Sequence, residues 1–197
     1  MSLWEIETQY AAQGFKLICG ADEAGAGPLA GAVYAAAVIL PLGLEIKGLN
    51  DSKKLTEKKR EHLFDVIRER ALAWSIQSVS EQEIDEINIL NARLKAMDLA
   101  IQSLEPQADF ALIDGNRDAG IQCPHAAVVK GDSLSANIAA ASILAKVSRD
   151  RYMLEMDRLY PEYGFARHKG YPTKAHYEAL RKCGPCPIHR RTFLKKL

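Results

Sequence analysis

FKLICGADEAGAGPLAGAVYAAAVIL, residues 15–40, joins two apolar runs through a glycine turn and plants two acids at the join. Residues 15–21 and 32–40 have the length and apolar character of strands, and Gly25-Ala26-Gly27-Pro28 between them has the residues of a turn. The chain therefore starts with a hairpin-like unit. Asp22 and Glu23 sit where the first run enters the turn. Acidic side chains are seldom buried unless paired or bound to a cation, and two in succession add mutual repulsion to the cost of losing water. The doublet predicts a positive partner at this spot.

Outward from that unit, the spacing of apolar residues marks alternating elements. A helical pattern over 56–74 puts Leu63, Phe64, Ile67 and Ala71 on one face, and 74–79 reads as a third strand. Ser80 with Glu83 makes a capping box for a helix whose Ile87, Leu90, Leu94, Met97 and Ile101 form a core-facing stripe. Two short apolar runs follow: 110–113, ending on Asp114-Gly115-Asn116, and 125–129, ending on Lys130-Gly131-Asp132, with His125 expected in the core. Ser133 and Ser135 introduce an Ala-rich helix over 136–160, stopped by Pro161, and 173–182 reads as a last helix. This order predicts an α/β domain on a mixed sheet, a single domain over 1–197 with 161–197 as a helical C-terminal extension.

Composition narrows the class without naming a function. The 197 residues are 48% hydrophobic and 26% charged, ordinary for a globular chain and outside the disordered and fibrous classes. No apolar run reaches membrane-spanning length, and MSLWEIETQY lacks the basic start of a secretory signal, so a cytoplasmic protein without a membrane partner is expected. The net charge of +1 hides a split: residues 1–145 carry 13 Lys and Arg against 20 Asp and Glu, and residues 146–197 carry 13 against 5. The basic part suits a phosphate-binding surface or a solvated helix. Four cysteines are too few and too scattered for a disulfide framework. Cys183-Gly184-Pro185-Cys186 matches a redox tetrapeptide, but it follows a helical segment instead of a core strand, so a turn or a chance zinc half-site is the expected role.

Three separate strands end in acids: Asp22-Glu23, Asp114 and Asp132. Taken singly, Asp114-Gly115-Asn116 is an ordinary turn and Asp132 an ordinary cap. Together they point to one site, because ligands in α/β sheets gather at strand ends. Four converging carboxylates are tenable with hard divalent cations, magnesium or manganese, and two such ions are a known device for phosphodiester hydrolysis.

Six stretches carry a family resemblance: residues 21–31, ADEAGAGPLAG; 48–55, GLNDSKKL; 112–116, LIDGN; 128–133, VVKGDS; 140–147, AASILAKV; and 168–173, HKGYPT. With these the sequence resembles bacterial ribonuclease HII, the type 2 ribonuclease H, over nearly its whole length. The resemblance implies an RNase H-like fold with a five-stranded mixed sheet flanked by helices. It also implies metal-dependent hydrolysis of the RNA strand of RNA–DNA hybrids and of ribonucleotides embedded in duplex DNA, leaving 3′-hydroxyl and 5′-phosphate ends. Asp22, Glu23, Asp114 and Asp132 match the family's catalytic metal-site acids. Tyr171 matches the tyrosine that packs on the sugar at the RNA-to-DNA junction, and the Gly25–Gly27 turn matches the segment that approaches the 2′-hydroxyl.

The family's turn reads Gly-Arg-Gly, whereas this chain has Ala26 in the middle. Backbone recognition survives that change, but the guanidinium is lost, so weaker substrate recognition or turnover is expected, with a hybrid-duplex binding protein as the alternative. Lys53, Lys54, Lys146 and Arg149 are candidate phosphate contacts. A dinucleotide-binding reading of the turn fails, because Gly25, Gly27 and Gly31 give the wrong spacing. A monomer is expected.

Overall fold

The computed structural model describes residues 2–50, 52 and 55–194. Five strands form one sheet in the order β3-β2-β1-β4-β5: β1 Ile18–Ala24, β2 Val33–Ile39, β3 Ala73–Val79, β4 Phe110–Asp114 and β5 His125–Val128. β1 pairs antiparallel with β2 and parallel with β4, so the sheet is mixed, as the element order predicts. Among the described residues six α-helices accompany it: α1 Glu5–Ala11, α2 Glu57–Arg70, α3 Glu81–Gln102, α4 Ala136–Leu159, α5 Phe165–His168 and α6 Lys174–Cys183. α3 packs on one face of the sheet and α4 on the other, with α2 against α4. Among the described residues no helix is long and apolar enough to cross a membrane.

Strand alternation explains the two layers. Cys19 and Ala21 enter the core beneath α3, while Ala36 and Val38 enter the one beneath α4. At Gly20 the strand and α4 nearly touch, since a Cβ there would lie 2.2 Å from the Ile138 nitrogen, so only glycine fits. Asn137 beside it ties two strands together, accepting from the Leu40 N–H at 2.8 Å and donating to the Ile18 carbonyl at 3.0 Å.

The strand expected over 15–21 lies three residues later, so Asp22 and Glu23 are inside β1 and not beyond its end. Phe15 is withdrawn from the sheet by aromatic packing, 4.5 Å from Phe110 and 6.3 Å from Tyr10 between ring centroids. Tyr10 belongs to α1, a helix the sequence reading did not anticipate. Its Glu7 is fully buried and reaches the start of α4, accepting from the Ser135 hydroxyl at 2.6 Å and the Asn137 N–H at 3.1 Å. A carboxylate at a helix N-terminus answers unsatisfied N–H groups there.

α3 is kinked where a single helix was expected. Asn88 has φ 65° and ψ 162°, and its side chain accepts from the Asn91 N–H, so it caps a second helical stretch. Ser80 does cap the start, accepting from the Glu83 N–H at 3.3 Å, but the Glu83 carboxylate pairs with Lys95 instead of closing the box. His125 is half-exposed at the edge strand and bonds the Cys123 carbonyl, not the core position expected from its apolar neighbours. The tetrapeptide 183–186 forms the turn that ends α6, with Gly184 at φ 70°.

Candidate active site

Successive residues of a strand face opposite ways. Asp22 therefore lies on the α4 side of the sheet and Glu23 on the α3 side. Asp22 is buried, and its Oδ1 accepts from the Glu23 N–H at 2.7 Å. Loss of water raises its pKa well above the usual carboxylate value, and the charges of Glu23, Asp114 and Asp132 raise it further. All four acids singled out by sequence thus share one electrostatic neighbourhood.

Each carboxylate is steered by its own surroundings. Arg93, brought in by the stretch of α3 beyond the kink, donates to Glu23 Oε1 at 3.0 Å. Asp114, the last residue of β4, accepts from the Gly131 N–H at 2.7 Å, which ties it to the loop bearing Asp132. Asp132 is buried in a single 3₁₀ turn, 131–133, entered through Lys130 at φ 57°. No three His, Cys, Asp or Glu side chains among the described residues converge as a ready-made cage for an ion. The acids are spread over two strands and one loop turn.

Beside them opens a cleft of about 210 Å³ lined by Asp22, Glu23, the 24–27 turn, Ser52, Ser142, Lys146, Arg149 and Tyr171. It unites Asp22 and Glu23 with Gly25, Ala26, Gly27, Lys146 and Tyr171, while Asp114 and Asp132 stand outside its lining. Lys53 and Lys54 lie outside the described residues. Tyr171 is 41% exposed and stands over Gly27, where an added Cβ would meet its ring at 3.7 Å. Lys146 is not free: its ammonium pairs with Asp150 at 2.7 Å, and Asp150 also approaches Arg60 at 3.9 Å. Arg60 in turn donates to the Ser52 and Leu55 carbonyls on either side of the lysine pair.

Arg149, a phosphate contact by sequence, is instead internal. At 1% exposure it donates to the carbonyls of Ala32, Lys169 and Ala30 at 3.2, 3.0 and 3.1 Å, and its guanidinium lies 5.9 Å from the Tyr171 ring centroid. Gly25 must be glycine beside it, because φ is 99° and a Cβ would sit 2.0 Å from Arg149 Nε. Arg190, beyond α6, is fully buried and bonds carbonyls of 25, 26, 28 and 31. Burial and the charge of Arg149 lower its pKa. Behind it, His176 and His189 meet at 3.0 Å, and His176 Nδ1 lies 3.0 Å from the Tyr171 carbonyl. Burial, then His176, brings His189 down to about 4, and burial lowers His176 as well.

Sequence reasoning missed Arg93 and the inward role of Arg149 and Arg190. A basic residue in a polar helix or tail carries no local sign of a buried carbonyl partner 117 to 165 positions away.

A mixed sheet with this strand order, flanked by helices and bearing four acids around its central strands, defines a hydrolase of the RNase H-like class. The ribonuclease HII family model matches residues 19–196. Ribonuclease HII of Ruminiclostridium cellulolyticum is 56% identical over 189 residues, 96% of this chain and 74% of the relative. That of Acetivibrio thermocellus is 59% identical over 183 residues, 93% and 72%. The crystal structure of ribonuclease H2 from Pyrococcus horikoshii superposes with a TM-score of 0.75 at 29% identity, covering 90% of this chain and 93% of that one. The chain belongs to the ribonuclease HII family and is an endoribonuclease of RNA–DNA hybrids.

Proposed function

We propose that Asp22, Glu23, Asp114 and Asp132 hold two divalent cations, magnesium or manganese, and that the adjoining cleft receives the ribonucleotide of a hybrid or of a DNA duplex with one embedded ribonucleotide. The observation that carries this reading is Asp22, a buried carboxylate whose charge is opposed by burial and by three neighbouring acids. A hard cation relieves both penalties. The donor set fits: it is all oxygen, and magnesium takes one or two carboxylates per ion and fills the rest of its shell with water and phosphate, so no closed cage is needed. When bound, the ions supply an activated water and steady the leaving oxygen of an in-line displacement.

The chain's own residues orient the reaction. Arg93 fixes the angle of Glu23, and the Gly131 N–H fixes that of Asp114. Tyr171 offers a flat apolar face for a sugar across the gap from Gly27. The N–H groups of Ala26 and Gly27 have no acceptor among the described residues and are free to meet ribose or phosphate oxygens. Lys146 and, by its place in the sequence, Lys53 serve the phosphate backbone. Cleavage on the 5′ side of the ribonucleotide leaves 3′-hydroxyl and 5′-phosphate ends. The protein works as a cytoplasmic monomer, one catalytic domain whose helical extension from 161 onward helps to read the substrate. Ala26 lowers recognition or turnover relative to an arginine at that position.

The test is cleavage of a duplex with a single ribonucleotide in magnesium, with Asp114→Asn as the comparison. The variant is expected to lose at least about a hundredfold in rate while keeping duplex affinity. Wild-type rates in the variant refute the metal assignment; binding without cleavage by the unsubstituted protein makes it a hybrid binder.

A further inference from the structure

We infer that Arg190 is a positioning residue that aims two backbone amides of the glycine turn into the cleft, so that a side chain from the far C-terminal part of the chain sets ribonucleotide recognition. This deepens the proposed reading of the turn and rests on it.

The guanidinium reaches the turn through five hydrogen bonds. Nη2 donates to the carbonyls of Gly25 at 2.7 Å and Gly31 at 2.6 Å, Nη1 to those of Ala26 at 3.1 Å and Pro28 at 2.9 Å, and Nε to Gly31 at 2.9 Å. A trans peptide is planar, with the carbonyl of one residue and the N–H of the next pointing in opposite directions. Carbonyls 25 and 26 turned inward to Arg190 therefore direct the N–H groups of Ala26 and Gly27 outward. Outward is the cleft, because Arg190 is fully buried behind the turn and residues 25–27 line the opening. Two further backbone bonds fix the arginine's own position: its N–H donates to the Leu29 carbonyl, and the Gly31 N–H to that of Ile188, both at 2.9 Å.

No carboxylate among the described residues lies within ion-pair distance of Arg190, so the turn carbonyls are its counter-dipoles. A lysine keeps the charge but is a point donor, unable to span four carbonyls as a planar fork does. Arg149 holds the other flank at Ala30 and Ala32 and bonds no carbonyl of 25–28, which leaves the orientation of amides 26 and 27 to Arg190.

Arg190→Lys and Arg190→Gln, measured two ways, test this. Within 25–31, hydrogen exchange of the Leu29 and Gly31 amides, which bond the Gly170 and Ile188 carbonyls, is expected to accelerate while β1 and β4 keep their protection. In buffer without divalent cations, the preference for a duplex with one ribonucleotide over the all-DNA duplex of the same sequence is expected to fall about tenfold, with all-DNA affinity unchanged. A role confined to stability would reduce the active fraction and leave that ratio intact. Unchanged exchange at Leu29 and Gly31, or an intact ratio, overturns the proposal. Wild-type protein with no preference for the ribonucleotide would refute the turn as a ribose reader, and the exchange measurement would then decide the positioning of the turn by itself.

Discussion

The acidic strand ends and the arginine-bearing C-terminal segment approach the same glycine turn from different sides, and they bury charge on different terms. Asp22 gives up water and gains like charges as neighbours, which raises its pKa. Arg149 and Arg190 give up as much water and repel one another, yet their donors end on backbone carbonyls. On the proposed reading the first region is completed by its cations, whereas the second is complete as folded. Buried charge alone does not mark a reactive group, and the state of its partners separates the two cases.

Removing one charge from each region should therefore move stability in opposite directions. Arg149→Met leaves the carbonyls of Ala30, Ala32 and Lys169 without their donor, and a loss of about 3 kcal/mol or more in urea unfolding is expected. Asp22→Asn should do the reverse in metal-free buffer, raising stability by about 2 kcal/mol at neutral pH. The sign follows from the raised pKa: the folded state holds the Asp22 proton more tightly than the unfolded state, so its contribution is present at low pH and lost as pH rises through the folded value. The advantage of Asp22→Asn should vanish near pH 3 and grow toward pH 7. Equal effects of the two substitutions would erase the contrast between the regions. The smallest effect concerns the turn between them. Ala26→Arg is expected to raise kcat/KM on a single-ribonucleotide duplex by about tenfold through one charge-assisted contact, and no gain would dismiss any penalty from Ala26.

The parts of this fold legible in the sequence are those set by local pattern. β2, β3, β4 and α4 follow from runs and periodicities, and Ser135 caps α4 by accepting from the Ile138 N–H, as its place before the Ala-rich stretch suggests. The acids were visible because carboxylates at strand ends are out of place unless something binds there. What stayed hidden depends on distant chain. The register that draws Asp22 and Glu23 into β1 comes from pairing with Ala36 and Ala35, and the kink at Asn88 sends Arg93 toward an acid 70 positions earlier. The basic excess after residue 145 looked like surface, and two of its arginines are among the largest fully buried side chains.

The bonds from Arg190 to Gly25 span 165 positions, which gives the turn a history as well as a shape. While the chain is being made, β1 and β2 have all the residues they need to pair long before the clamp between them exists. At roughly 5–20 residues per second, the turn waits on the order of ten seconds or more for the arginine to be added, and longer for it to clear the ribosome. An unfinished chain therefore carries the acids without the oriented turn, and on the proposed reading of that turn its selectivity for ribose arises later than its acids.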